Sequence, residues 1–123
     1  MNDALVVIQN YYKAFSTLSV DACEPFFTLP CMFVGLHGTF AVANREDFAR
    51  VLGPAIEALK SQDYQRSEFL EPQSTALTEK AVLVRGVAVR YRAAGAELQR
   101  IAVSYVMHYS GGAWKIAACI AAQ

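Results

Sequence analysis

The last third of the chain leaves few architectures open. Residues 81–92, AVLVRGVAVRYR, are nearly continuous apolar and β-branched sequence. Ala94-Gly95 interrupts the run, Leu98 to Tyr109 resumes it, Ser110-Gly111-Gly112 interrupts again, and Ala113 to Ala122 completes the pattern. Runs of this composition bounded by glycine-rich breaks are strands joined by tight turns. Three strands connected this way make an antiparallel meander, whose apolar face needs a cover.

The first half supplies that cover. Asp3 to Thr17 predicts an amphipathic helix, because Asp3 can cap its start and Leu5, Ile8, Tyr12 and Phe15 recur at helical spacing. A second line, Val7, Tyr11, Ala14 and Leu18, widens the stripe, so the helix packs on two partners or lines a cavity. Tyr12 reads as plain core. Ser19 caps a second short helix, Val20 to Phe27, and Pro30 ends any continuation. Cys31 to Leu36 is a short strand that Phe40 to Ala43 can pair with. Asn44 caps a third helix, Arg45 to Leu59, with Phe48, Leu52, Ile56 and Leu59 on one face and a kink at Gly53-Pro54. Tyr64 to Thr78 is a further strand that Pro72 marks as an edge or a bend. Helices first and hairpin-linked strands last give an α+β fold over residues 1–123, read as a single domain.

Composition narrows the class of function. Apolar residues make up 54% of the 123 and charged residues 18%, which excludes intrinsic disorder. This apolar share is slightly high, and points to extra burial in a subunit interface or a lined cavity. No apolar run approaches the roughly 18 to 20 residues needed to cross a bilayer. The opening Met1-Asn2-Asp3 is acidic where an export signal is basic, so a cytoplasmic location is expected. Cys23, Cys31 and Cys119 show no CxxC pairing and read as small apolar residues.

Charge is unevenly spread. Through Glu79 five basic residues stand against ten acidic ones, whereas from Lys80 onward six basic residues face only Glu97. Acidic helices neutralising a basic sheet is one reading, and a basic sheet face for an anionic ligand or partner is the other. Basic residues without glycine-aromatic interleaving argue against nucleic acid. The two histidines are 71 positions apart, so no metal-ligand spacing exists. No GxSxG elbow or phosphate-binding glycine loop is present either. Arg85 is a charge within an apolar strand, and reads as an outer-face ion pair or as an anion clamp. His108 alternates onto the face opposite Val103, Tyr105, Met107 and Tyr109, and belongs outside.

Tyr-Tyr-Lys-Ala-Phe on the first helix leads into Ser19-Val20-Asp21-Ala22 and Phe26-Phe27. With the closing Gly-Gly-Ala-Trp-Lys-Ile-Ala (Gly111 to Ala117), this resembles the nuclear transport factor 2-like superfamily, in particular its SnoaL-like branch. The resemblance covers essentially the whole chain. It implies a strongly curved antiparallel sheet wrapped by three helices into a cone, with an apolar pocket inside and a homodimer through the outer sheet face. Members include isomerases, polyketide cyclases, dehydratases and domains that only bind or dimerise, so the site has to decide.

In the ketosteroid isomerase mechanism, a worked example of carboxyl pKa tuning, an aspartate base works with a tyrosine and a neutral carboxylic acid as donors. By position, Tyr11 stands for the first donor, Gly35 for the base and Tyr105 for the second donor. Glycine offers no base, and only His37 nearby could move a proton near neutral pH. His37 also reads simply as a loop histidine, and Trp114 as a sheet-packing aromatic or a pocket wall.

The resulting expectation is a cavity that binds a small organic molecule, with no catalytic residue, no metal and no cofactor. Its expected ligand-binding residues are Tyr11, Phe15, Phe33, His37, Phe48, Leu52, Tyr105, Met107 and Trp114. The expected partner is a second copy of the chain, with no nucleic acid and no membrane. An isomerase or cyclase that polarises a carbonyl with tyrosine hydroxyls, and a non-catalytic dimerisation or scaffold domain, are the alternatives.

Overall fold

Six strands form one sheet in the order β2-β1-β6-β5-β4-β3, with the helices packed on one side of it. The strands are β1 (Phe27–Gly35), β2 (Gly38–Val42), β3 (Tyr64–Thr78), β4 (Ala81–Arg92), β5 (Glu97–Ser110) and β6 (Ala113–Ala121). Helices α1 (Asp3–Phe15), α2 (Val20–Cys23) and α3 (Arg45–Lys60) complete the chain. This computed structural model describes residues 3–122, so Met1 and Asn2, part of the export-signal reading, lie outside it. No helix among the described residues is long and apolar enough to cross a membrane.

The expected α+β class stands, but the sheet is mixed. β1 and β6 run parallel, pairing Met32 with Ala118 and Val34 with Ile120, while the other neighbours are antiparallel. The sheet is not closed, since β2 and β3 remain as edges. β1 also begins four residues earlier than expected, at Phe27. Pro25 confines the second helix to α2 and a single 3₁₀ turn, Glu24–Phe26. Pro30, which lacks a backbone donor, then sits where the β1–β6 register shifts between Phe27 and Met32.

Helix α1 buries Ala4, Ile8, Tyr11, Tyr12 and Phe15, a stripe wide enough to touch both β3 and β6. Asn44 caps α3 as expected. Its Oδ1 accepts from the Asp47 amide at 2.9 Å, and Asp47 Oδ2 accepts from the Ala43 amide at 3.1 Å. The helix continues through Gly53-Pro54, with Pro54 on its exposed side. Phe48, Leu52, Ile56 and Leu59 are its buried face.

The bend in β3 depends on its neighbour. Pairing with β4 shifts between Leu70 and Gln73, around Glu71 at φ 54°. Opposite this bulge stands Gly86, where a Cβ would lie 2.6 Å from Phe69 Cζ and 2.8 Å from the Leu70 carbonyl oxygen. Glycine lets the Phe69 ring fold over β4 into the interior. There it meets Tyr12 at a centroid distance of 5.4 Å and Tyr105 at 5.7 Å.

The two oppositely charged halves do not neutralise each other through ion pairs. Every pair among the described residues joins partners within one half: Arg45–Glu24, Arg50–Asp47, Lys60–Glu57, Arg66–Glu68 and Arg100–Glu97. Arg85 lies on the outer sheet face and donates to Gln73 Oε1 at 3.1 Å, and His108 is exposed there too.

Candidate functional site

A cavity of about 200 Å³ opens between α1, the middle of α3 and the inner face of the sheet. Its floor is β5 and β6, through Val103, Tyr105, Cys119 and Ala121. Leu52 and Ala55 of α3 close one side, and Phe33 and Phe40 of the β1–β2 hairpin close another. The alternation of β4 then turns Ala88 and Arg90 inward.

Two adjacent tyrosines of α1 reach this space because its buried stripe is broad. The Tyr12 and Tyr105 hydroxyls share a hydrogen bond of 2.7 Å, tying the helix to the centre of β5. Tyr11 is packed edge-on against Phe27 at a centroid distance of 5.1 Å and against Tyr12 at 5.7 Å. Its hydroxyl has no hydrogen-bond partner among the described residues, and it is not a sealed polar atom either, so it faces the cavity. A second polar cluster lies by the wall formed by Ser67. The Ser16 Oγ accepts from the Ser67 amide at 3.0 Å, and the Tyr64 and Ser67 hydroxyls lie 2.6 Å apart.

Burial sets the protonation of these groups. Desolvation raises the phenols of Tyr11, Tyr12 and Tyr105 above the ordinary tyrosine value, although the Tyr105 hydrogen bond lowers that of Tyr12 somewhat. Burial likewise pushes the Cys119 thiol up to about 12. All four are neutral at physiological pH. The phenols can donate and accept hydrogen bonds but cannot serve as bases, and no Cys thiolate is available.

The structure brings together five of the nine expected residues: Tyr11, Phe15, Phe33, Leu52 and Tyr105 all line the cavity. Four lie elsewhere. Phe48 and Met107 are fully buried in the core, with Phe48 edge-on to Phe27 and tilted against Phe33, outside the cavity lining. Trp114 packs on Tyr109 in the β5–β6 hairpin, at a centroid distance of 5.4 Å. His37 is exposed on the β1–β2 turn, because Gly35 and Gly38 end the pairing just before and after it. Gly35 does reach the cavity wall, and no side chain stands there.

Sequence reasoning passed over three polar side chains of the cavity, along with several apolar ones. Tyr12 is a hydrogen-bonded wall residue instead of plain core. Arg90 is the one charged residue of the lining among the described residues, and Ser67 adds a hydroxyl. Strand parity would have found Arg90, since it shares a face with the buried Val84 and Ala88 while Arg85 does not.

The fold has many counterparts among solved structures. An NTF2-like protein with a cystatin-like fold from Novosphingobium aromaticivorans superimposes with a TM-score of 0.79 at 13% identity, over 98% of this chain and 79% of that one. An NTF-2 like protein of unknown function from Shewanella oneidensis gives 0.77 at 14% identity, over 99% and 98% of the two chains. A ketosteroid isomerase-like protein from Erwinia carotovora atroseptica gives 0.74 at 14% identity, over 98% and 92%. At these identities the likeness is one of fold. A search among curated proteins finds no match. The family model described as NTF2-like protein (DUF6841) matches residues 3–123, and the chain therefore belongs to that NTF2-like family.

Proposed function

We propose that this protein binds a small, mostly apolar organic molecule in the cavity and does no acid-base chemistry on it. The observation that carries the reading is the lining itself. It is made of aliphatic and aromatic side chains with a few fixed hydroxyls, and among the described residues it includes no histidine, aspartate or glutamate. Pockets that retain ligands have this composition, whereas proton transfer at carbon needs a group titrating near the working pH. The volume limits the guest. A cavity of about 150 Å³ lined by apolar groups accommodates benzene, so about 200 Å³ holds a single ring or a short chain.

A screen of one-ring and short-chain compounds by thermal shift and ligand-observed NMR tests this. Binding to the wild-type chain and its loss in Ala55→Phe, which fills the α3 side of the cavity, are expected. Failure of every compound, or undiminished binding by a folded Ala55→Phe variant, counts against the proposal.

The tyrosine hydroxyls keep a second reading open to experiment. The Tyr11 hydroxyl, with no hydrogen-bond partner among the described residues, could donate to a carbonyl oxygen, as an isomerase or cyclase requires. Such an enzyme would have to find its base in the substrate or in water, which is why binding is preferred. We also infer a homodimer through the outer sheet face, supported by the exposed apolar residues Met32 and Ile120 there.

A further inference from the structure

We propose that the cavity selects a small monocarboxylate, with the Arg90 guanidinium receiving the carboxylate and the tyrosine-lined wall receiving an apolar body of one ring or a short chain. The inference rests on the binding function proposed above and names the chemistry of the ligand.

Among the described residues, Arg90 is the single charged one of the lining. It is half-buried, and among the described residues its one side-chain hydrogen bond is from Nη1 to the neutral Gln99 Oε1, at 2.7 Å. It takes part in none of the ion pairs among the described residues. A guanidinium carries five N–H donors in a fixed fork, so most of that fork is unused. Withdrawing a cation from water without a counter-charge is unfavourable, and an incoming anion would relieve that cost.

The guanidinium is also held in place. Its Cζ lies 5.4 Å from the centroid of the Phe15 ring, itself part of the cavity wall, and Gln99 sits directly across the β4–β5 ladder. The guanidinium thus has Phe15 on one side and Gln99 on the other. Its other neighbours in the cavity, Tyr11, Tyr12, Tyr105 and Cys119, are kept protonated by burial and cannot supply the missing negative charge.

Geometry and size choose among anions. A planar fork pairs with a carboxylate through two parallel hydrogen bonds. A phosphate dianion would need more positive charge than one arginine supplies, and the rest of the lining is apolar. The volume excludes long-chain fatty acids and admits acids the size of benzoate, phenylacetate or hexanoate.

The test compares matched pairs by titration calorimetry: benzoate with benzyl alcohol, phenylacetate with 2-phenylethanol, and hexanoate with hexanol. Wild-type protein is expected to hold the acid of each pair about tenfold or more tighter than the alcohol, as a charge-assisted pair of hydrogen bonds provides. Arg90→Gln should abolish the preference, so that acid and alcohol of each pair bind it equally, and Arg90→Lys, which keeps the charge but loses the fork, should retain part of it. The thermal midpoint and the circular dichroism spectrum report whether each variant is folded.

Equal affinity for acid and alcohol in the wild type overturns this inference and leaves the binding function intact. So does a preference that survives in Arg90→Gln. Failure of both acids and alcohols to bind overturns the two together.

Discussion

Tyr11 and Tyr12 are neighbours of the same type on the same helix, yet they face opposite fates on mutation. The Tyr12 hydroxyl is the hydrogen-bond partner of the Tyr105 hydroxyl, so Tyr12→Phe leaves a buried phenol in β5 without one. An orphaned buried hydroxyl costs about 1–3 kcal/mol, which urea denaturation would read as a lower midpoint at unchanged slope. Tyr11→Phe removes a hydroxyl with no hydrogen-bond partner among the described residues, and stability should stay within about 0.5 kcal/mol of wild type. Equal losses from the two substitutions would show that the hydroxyl pairing contributes nothing. Which tyrosine turns toward β5 was not legible in the sequence. Both belong to one broad apolar stripe, and the choice between them is made by how α1 rolls against β3 and β6. Arg90 was legible in principle, since alternation along β4 separates it from Arg85 once one buried residue fixes the parity.

At the scale of elements, the strands of the C-terminal third could be read almost to the residue because their ends are marked chemically. Gly95, Gly111 and Gly112 all adopt positive φ in the two turns, where glycine is the favoured residue, and the ladders stop there. β1 was misread because its parallel partner is β6, some ninety positions away, and nothing local announces that pairing. The bulge in β3 was half-visible: Pro72 flagged a bend, but the residue that admits it lies on the next strand. A methyl group at Gly86 would meet both the Phe69 ring and the Leu70 carbonyl, and of the two only the ring can yield. Gly86→Ala should therefore destabilise by about 1–3 kcal/mol. It should also displace Phe69 from Tyr12 and Tyr105, changing the near-ultraviolet circular dichroism of the aromatic cluster. A Gly86→Ala protein with wild-type stability and an unaltered spectrum would mean that β3 does not depend on this close approach.

For the molecule as a whole, the unsettled surface is the side of the sheet that no helix covers. Ladder partners share a face, so the register defines what that side presents. One row runs Met32, Ala118, Val106 and Leu83 across four strands. The next row runs Val34, Ile120, Ser104 and Arg85, and ends on Gln73 of β3. The first row is thus apolar as far as β4, and the second is apolar at the β1–β6 end and polar at the β4–β3 end. The apolar excess noted in the sequence has two outlets here, the inner cavity and this outer row, and the sequence could not apportion them because both faces of β4 and β5 are rich in valine. A two-fold dimer would lay the apolar end of one sheet against the other copy, and Arg85 with Gln73 would form its rim. Sedimentation velocity at micromolar concentration should then find a dimer. Ile120→Glu, at a residue 42% exposed in the single chain, should convert it to a folded monomer, because a carboxylate at the centre of an apolar interface has no partner. A monomeric wild type, or a dimer indifferent to Ile120→Glu, would leave this face without the proposed role. The cavity opens on the opposite side of the sheet, so ligand affinity in the Ile120→Glu monomer should match that of the dimer.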